Sequence, residues 1–304
     1  MSKSCIITVT QGDFDYIKEW IDWHYNLGIN LFLIGYNGQT NDMDKLPKYD
    51  YVKYIDFSHN NDNITDSLNS YKLDQFFSYE VTEEEVSNYL MPIQESILNI
   101  LHKMVLSLYK DIKYTCIIDT DEFIEITDKS YNINDFLDNY FTEYKVAIKL
   151  QMKFFNDNDL IYKDNRLCNE RFTNGKFLDN KGIGNYKIIL NNEHEDIIKT
   201  NILSAHTCSF YDAEYILNNN DIYLKHFFTK TLEEWISKFN INYDKDYIKR
   251  FSGSIFRNFF DFNKMTEEKI KAIPNLLSKY NVNYNPLFEF DKNFVEQYKK
   301  IHNL

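Results

Sequence analysis

Short apolar runs alternate with amphipathic segments along the first part of the chain, and this alternation constrains the fold more than any other feature. Three runs rich in β-branched and aromatic residues are predicted strands: "CIITVT" (5–10), "INLFLIGY" (29–36) and "YVKYIDF" (51–57). Between the first two, apolar residues recur at helical spacing, with Asp13 as the predicted N-cap and Gly28 as the C-terminal stop. The order strand, helix, strand predicts a βαβ unit and therefore an α/β fold with a parallel sheet.

The rest of the chain continues the alternation before it becomes irregular. Four further elements are predicted: an amphipathic helix from Ile93 to Leu108, a strand at "YTCIID" (114–119), a helix at "NINDFLDNYF" (132–141) and a strand at "KVAIKLQMKFF" (145–155). The polar segment 58–89 is interpreted as an insertion or mobile loop. Beyond residue 156 the β-like segments are short, and the chain is helical and aromatic from Leu232 onward.

Composition sets limits on function. The formal net charge of −12 argues against nonspecific binding to nucleic acid or to an anionic membrane. No apolar stretch approaches the length of a membrane span, and the N-terminus lacks the pattern of a signal peptide. The four cysteines lie far apart without CxxC spacing, so they are predicted to be thiols and not a disulfide or zinc framework. We therefore expect a cytoplasmic protein, with at most peripheral association with the inner face of the membrane.

A dense group of carboxylates follows the fourth predicted strand. The stretch "IIDTDEFIEI" places Asp119, Asp121, Glu122 and Glu125 within seven positions. Carboxylates this close repel one another unless a cation, a proton or solvent relieves the repulsion. Because ligands bind at the carboxyl ends of strands in open α/β sheets, this segment is the strongest candidate for a functional site.

Four interpretations compete for this segment. A solvated acidic turn needs no function at all. An EF-hand is excluded, since the sixth and twelfth positions counted from Asp119 are Ile124 and Ser130 instead of Gly and Glu. An aspartyl-phosphate phosphatase shares the apolar strand ending in DxD, but Phe123 stands where that class has Thr or Val. The fourth interpretation is a metal site in which Asp119 and Asp121 hold Mg²⁺ or Mn²⁺ against the two phosphates of a nucleotide-sugar.

Motifs on both sides of the acidic segment resemble those of the family-2-like and family-92-like glycosyltransferases. In those enzymes a first strand leads into a helix of the form EWxxYHxxLG, and a second strand ends near DNxSxD. A DxDEF segment and an HYxxKSxEEFxxK segment follow. The matching residues here are Glu19, Trp20, His24, Leu27, Gly28, Asn37, Asp42, Gln94, Asp119, Asp121, Glu122, Phe123, His206, His226, Lys230, Glu234 and Lys238. The chain departs from the pattern at "TQGDFD" (10–15), where the family has a KNE-like turn, and at Phe227, where it has Tyr.

The resemblance covers roughly residues 4–240 and implies a GT-A fold, with a Rossmann-like, mostly parallel sheet flanked by helices. It implies a glycosyltransferase domain at 1–240, with a nucleotide-sugar half at about 1–125 and an acceptor half at about 145–240. A helical extension would occupy 241–304. The implied activity is inverting, metal-dependent transfer of a hexose from a nucleotide-sugar, most often a UDP-sugar. The acceptor would be a glycan or lipid-linked glycan in the synthesis of cell-surface polysaccharide or glycoconjugate.

Two alternatives to this activity remain. One is a DxD phosphohydrolase, and the other is a GT-A protein that binds nucleotide or glycan without turnover. Nucleic acid is not an expected partner under any of the three.

The same resemblance implies site residues. The metal ligands would be Asp119, Asp121 and His226, and the cation Mn²⁺ or Mg²⁺. Nucleotide contacts are expected at Thr10, Asn37, Asp42, Asp119, Lys230 and Lys238. His24 and His206 are expected to be packing residues.

An inverting transfer also needs a carboxylate that takes the proton of the acceptor hydroxyl. Three carboxylates lie downstream of the fifth predicted strand, in the half expected to hold the acceptor: Asp157, Glu170 and Asp212. Asp212 is preferred because it follows the "AHTCSF" segment (205–210).

Overall fold

The computed structural model describes the chain in several stretches. They are residues 2–38, 40–57, 93–141, 146–178, 185–204, 206–208, 214–216, 220–239 and 255–282, together with residues 296 and 300. The predicted insertion at 58–89, the predicted domain boundary between residues 240 and 241, and the candidate base Asp212 all lie outside the described residues.

Extended segments include every predicted strand and add others. The strands are β1 (Ser4–Thr10), β2 (Leu31–Tyr36), β3 (Val52–Asp56), β4 (Tyr114–Ile117), β5 (Glu122–Ile126), β6 (Ala147–Phe155), β7 (Gly175–Phe177), β8 (Tyr186–Asn191), β9 (Ile202–Ser204), β10 (Thr207–Cys208), β11 (Glu214–Ile216) and β12 (Ile222–His226). The sequence pattern does not predict β5, because its apolar residues are interleaved with carboxylates typical of a loop. Half of the acidic segment is therefore a buried strand.

Helices lie between these strands and at the end of the chain. Those with described bounds are α1 (Ile17–Leu27), α2 (Ile93–Leu108), α3 (Ile133–Tyr140), α4 (Cys168–Arg171), α5 (Leu232–Ser237), α6 (Ile255–Phe262) and α7 (Glu267–Lys279). Two short 3₁₀ segments occur at Thr40–Lys45 and Ile197–Lys199. Among the described helices, none combines the length and apolarity that crossing a membrane requires.

Helix α1 ends as predicted and begins differently. Gly28 caps its C-terminus with a φ of 108°, a left-handed conformation that glycine adopts without strain. The N-cap is Tyr16, and it makes no side-chain capping bond. The carboxylate of Asp13 instead accepts a hydrogen bond from the Thr120 hydroxyl at 2.5 Å. The prediction of Asp13 as the N-cap is therefore wrong, because a loop from another strand has taken its carboxylate.

Ten strands of the described chain form one mixed sheet of order β3-β2-β1-β4-β8-β6-β12-β5, with β7 and β11 pairing with β6. Strands β1 to β4 are mutually parallel, as the βαβ pattern predicts. Strand β8 runs antiparallel to both β4 and β6, and its register pairs Ile188 with Ile117 and Lys187 with Leu150. The fold is thus α/β, with a mostly parallel Rossmann-like half joined to a mixed half.

Helix α2 covers the parallel half of the sheet. Its buried side chains, including Ile97, Leu101 and Val105, form one core cluster with residues of β1, β2, β4 and β8. The helix approaches β2 so closely that a Cβ on Gly35 would lie 2.5 Å from Ile97 Cγ2. Glycine at this position therefore permits the close helix–sheet contact.

The described chain groups into two compact units, residues 1–153 with 177–225 and residues 154–176 with 226–304. The second unit has its own apolar cluster, built from α5, α6 and α7. It also contains a buried ion pair, in which Arg171 Nη1 lies 2.8 Å from Glu234 Oε2. Glu234 accepts a hydrogen bond from the backbone N–H of Thr231 as well, which completes a capping box at the start of α5.

Candidate functional site

The candidate site begins where the parallel strands β1, β2 and β4 end at one edge of the sheet. The backbone N–H of Asn37, just after β2, donates to the carbonyl of Thr10 at the end of β1 over 2.8 Å. The Thr10 hydroxyl accepts hydrogen bonds from the backbone N–H groups of Gly12 and Asp13. Asp13 in turn binds Thr120 after β4. Three loops are therefore tied together at the edge where α/β proteins bind ligands.

Residues Asp119 to Glu122 form a tight turn that joins β4 to β5. The Glu122 backbone N–H donates to the Asp119 carbonyl at 3.1 Å, which closes the four-residue turn. The Glu122 carboxylate accepts from the Asp119 N–H at 2.9 Å. The turn therefore holds Asp119, Asp121 and Glu122 close together in a fixed conformation.

A buried lysine compensates part of this negative charge. Lys187 lies in β8, where the pairing of Ile188 with Ile117 brings it beside the residues that follow β4. Its side chain is 0% exposed, and its Nζ lies 2.5 Å from Asp119 Oδ2 and 3.4 Å from Glu122 Oε2. An ammonium this deeply buried is stable only with an anionic partner.

Burial and charge compete in determining the pKa values of this cluster. Burial raises the pKa of Glu122 to about 8, with the Lys187 ammonium opposing the shift and the charges of Asp119 and Asp121 adding to it. Burial disfavours the charged form of Lys187, but the charges of Asp119 and Glu122 outweigh it, and the pKa of Lys187 is raised. Lys187 therefore remains an ammonium, and we assign Asp119 as its counter-ion because Asp119 lies closer than Glu122.

Helix α1 holds the strand that carries Glu122. Trp20 Nε1 donates to the Glu122 carbonyl and Trp23 Nε1 to the Ile124 carbonyl, both over 2.8 Å. The Ile124 N–H donates to His24 Nε2 at 3.0 Å, and His24 Nδ1 donates to the Trp20 carbonyl. These side chains, spaced three and four residues apart on one helix face, supply hydrogen bonds to a strand at the end of the sheet order.

Two neighbouring carboxylates on the turn have the spacing to share a metal ion. Asp121 and Glu122 each offer a carboxylate oxygen, and these atoms lie within 4.8 Å of each other. Opposite ligands of a Mg²⁺ ion lie roughly 4.2 Å apart, twice a bond of about 2.1 Å. Small side-chain rotations would therefore bring both oxygens onto one ion. His226, the predicted third ligand, is the last residue of β12 and belongs to the second unit.

The structure separates the predicted metal ligands. Asp121 belongs to this pair of carboxylates, whereas Asp119 does not. Asp119 has both carboxylate oxygens engaged by protein groups, with Gln94 Nε2 at 3.0 Å from Oδ1 and Lys187 Nζ at 2.5 Å from Oδ2.

The two histidines considered from the sequence have different surroundings. The ring of His226 packs against Phe154 and Phe228, with centroid distances of 5.0 and 5.5 Å. His206 Nδ1 donates to the Tyr186 carbonyl at 2.8 Å. Burial lowers the pKa of His206, and the neighbouring Lys187 lowers it further. The neutral form of His206 thus fits beside the Lys187 ammonium.

The remaining predicted nucleotide contacts fall into two groups. Asn37 follows β2 at the site edge, and Asp42 forms an ion pair with Lys45 at 2.5 Å in the 3₁₀ segment that follows. Lys230 and Lys238 lie in the second unit. Lys230 is buried, with a φ of 53°, and Lys238 Nζ donates to the Phe228 carbonyl at 3.1 Å. The two lysines thus have local packing roles, and their contact with a nucleotide stays a prediction.

Two of the three candidate bases have structural partners. Asp157 is 1% exposed and its Oδ2 lies 2.7 Å from the ammonium of Lys269, which is also buried. The Glu170 carboxylate accepts from the Leu167 N–H at 3.0 Å and caps the short helix α4. These contacts assign both carboxylates to folding, and their role as the base stays a prediction.

Sequence reasoning missed two contributors to the site. Lys187 stands in the apolar run "YKIIL", and a lysine inside a run of buried residues is a signal of an internal counter-ion. The indole N–H groups of Trp20 and Trp23 gave no such signal, because nothing in the sequence shows that a strand lies against that face of α1.

The fold and the site together define an α/β protein with a mixed, mostly parallel sheet and an acidic turn at the carboxyl edge of its parallel half. No protein-family model matches the chain, and no curated protein matches it with significance. The chemistry of the site is therefore the basis for a functional assignment.

Proposed function

We propose that the protein is an inverting, metal-dependent glycosyltransferase that uses a nucleotide-sugar, most simply a UDP-sugar. The observation that carries the proposal is the turn Asp119–Glu122, which places three carboxylates at the carboxyl end of β4 beside the ends of β1 and β2. In open α/β sheets this edge binds nucleotides. A nucleotide diphosphate bound at this edge would be repelled by the acidic turn, and a cation would relieve that repulsion.

The donor set fits a hard divalent cation. Asp121 and Glu122 supply carboxylate oxygens from one turn. With His226, the imidazole ligand that the sequence resemblance implies, they form a combination suited to Mn²⁺ or Mg²⁺. When bound, such an ion neutralises charge that develops on a leaving diphosphate. The chain's own residues then have distinct roles. The Lys187 ammonium offsets the charge of the Asp119 carboxylate, and Trp20 on α1 donates a hydrogen bond to the backbone of β5.

The proposal includes transfer onto a glycan or lipid-linked glycan. Such an acceptor must lose a proton to a carboxylate as the new glycosidic bond forms. Asp212 stays the preferred base, because it follows the "AHTCSF" segment (205–210).

A thermal-shift experiment tests this function. We expect UDP with Mn²⁺ to raise the melting temperature by several degrees, UDP alone to raise it less, and GDP or CMP with Mn²⁺ to leave it nearly unchanged. Stabilisation by GDP or CMP in place of UDP would refute the uridine donor. Equal stabilisation by UDP with and without metal would refute the metal role, and no response to any nucleotide would remove the glycosyltransferase proposal itself.

A further inference from the structure

The structure assigns Lys187 a role beyond packing: it is a built-in cation that takes Asp119 as its counter-ion and leaves a divalent metal ion to the neighbouring Asp121. This inference rests on the proposed function, since it concerns the same acidic turn. It differs from the sequence prediction, in which Asp119 and Asp121 bind the metal together.

The side chain of Lys187 is fully buried. Among the residues that the structure describes, the Asp119 carboxylate at 2.5 Å is its nearest anionic partner. The Glu122 carboxylate at 3.4 Å is the second. Removing one partner of a buried ion pair strands a charge at high cost, so an ion that draws Asp119 away would have to replace the Lys187 contact.

Protein donors contact both carboxylate oxygens of Asp119. One carboxylate oxygen accepts from the side-chain amide of Gln94 at 3.0 Å, and the other binds Lys187. Its backbone is held as well, because its N–H donates to Glu122 at 2.9 Å. These contacts anchor Asp119 in the turn, and a metal ion that drew its carboxylate away would have to displace them.

The carboxylates of Asp121 and Glu122 are placed differently from that of Asp119. Asp121 lies on the same four-residue turn, and its carboxylate approaches that of Glu122 closely enough to share an ion. Asp119 is not part of that group. The turn therefore presents one carboxylate to Lys187 and another to the metal.

Binding of Mn²⁺ alone to the full chain, measured by calorimetry or by electron paramagnetic resonance, tests this division. We expect Asp121→Asn to weaken Mn²⁺ binding at least about tenfold, and Asp119→Asn to change it less than about threefold. Lys187→Met should tighten Mn²⁺ binding, because Asp119 loses its internal cation and becomes available. A loss of affinity in Asp119→Asn equal to that in Asp121→Asn would overturn the inference.

Two further variants guard against effects of misfolding. Lys269→Met removes another fully buried lysine that is paired with an aspartate, so we expect it to lower the melting temperature without changing Mn²⁺ affinity. The double variant Lys187→Met with Asp119→Asn should recover part of the melting temperature that Lys187→Met loses, because the stranded charge is gone. No recovery would contradict the pairing of Lys187 with Asp119.

Failure of this inference is distinguishable from failure of the proposed function. If the wild-type protein binds neither Mn²⁺ nor UDP, the proposed function fails. In that case Lys187→Met should still gain a Mn²⁺ site if Lys187 acts as the internal cation, and absence of that gain would overturn the inference. If wild type binds both and Asp119→Asn abolishes Mn²⁺ binding, the function stands and the inference fails.

Discussion

At the residue scale, truncation of the His226 imidazole distinguishes a metal-binding role from a packing role. The His226 ring packs against Phe154 and Phe228, and the sequence resemblance implies that it binds the metal. A ligand and a packing group would respond differently to truncation, because a ligand contributes little to stability when the metal is absent.

We expect His226→Ala to reduce Mn²⁺-dependent UDP binding and transfer, with partial recovery at high Mn²⁺ and only a small change in the metal-free melting temperature. A purely structural His226 would instead leave a cavity and lower stability by about 1–3 kcal/mol without rescue by metal. Parallel titrations of Mn²⁺ and thermal melts distinguish these cases.

The matched control is His206→Ala. His206 bonds the Tyr186 carbonyl and lies near Lys187, so we expect destabilisation and no rescue by Mn²⁺. Rescue at His206 and none at His226 would show that the metal ligand is His206.

At the scale of secondary-structure elements, α1 and β5 are joined by three hydrogen bonds next to the acidic turn. Strand β5 stands at one end of the sheet order, and such a strand exposes backbone groups that need partners. Trp20, Trp23 and His24 provide them from one face of the helix. The helix therefore acts as the neighbour of β5 and positions Glu122 at the site.

Trp20→Phe tests the role of this helix. The substitution keeps an aromatic ring but removes the donor to the buried Glu122 carbonyl, so we expect a loss of about 1–3 kcal/mol in the free energy of unfolding. Weaker Mn²⁺ binding should accompany it, since Glu122 loses a restraint. Denaturant unfolding and Mn²⁺ titration measure the two effects.

Trp23→Phe is the control for that experiment. It removes the same kind of bond at a partly buried position, where water can replace the lost donor, so a smaller loss of stability is expected. Equal effects of the two substitutions would show that the ring volume, and not the buried hydrogen bond, determines the stability.

At the scale of the whole molecule, two buried histidines make stability depend on pH. Burial lowers the pKa of His24 to about 3 and that of His102 to about 4, both below the ordinary value of 6.5. The folded protein therefore keeps both rings neutral, while the unfolded chain takes up protons below pH 6.5. Stability is fully present above that pH and is lost as the pH falls toward the folded-state pKa values.

We expect the free energy of unfolding to decrease between pH 6.5 and pH 5 by up to about 2 kcal/mol for each histidine, since one pKa unit corresponds to about 1.4 kcal/mol. Denaturant unfolding at several pH values measures this slope. His24→Leu should be less stable at pH 7, because the Ile124 N–H loses its acceptor, and should show a shallower pH slope. An unchanged slope in His24→Leu would show that other groups cause the acid sensitivity.

The first part of the architecture could be predicted from local patterns along the chain. Apolar β-branched runs and helical spacing are local, so they predicted β1 to β4, β6, α1 and α2 with bounds close to those observed. Gly28 was predicted as a stop because glycine adopts a left-handed backbone without strain. The acidic turn was also predicted to lie at the carboxyl end of a strand, and it does.

The identity of each partner in the site depended on contacts between distant parts of the chain. Lys187 reaches Asp119 only because β8 inserts antiparallel beside β4, and no local pattern encodes that pairing. For the same reason Asp13 bonds Thr120 instead of capping α1, and β5 is a strand despite its carboxylates. The spacing of residues along the chain therefore determined the predicted helices, strands and turns. Which charges compensate one another was decided by the tertiary structure, because it depends on which strands become neighbours.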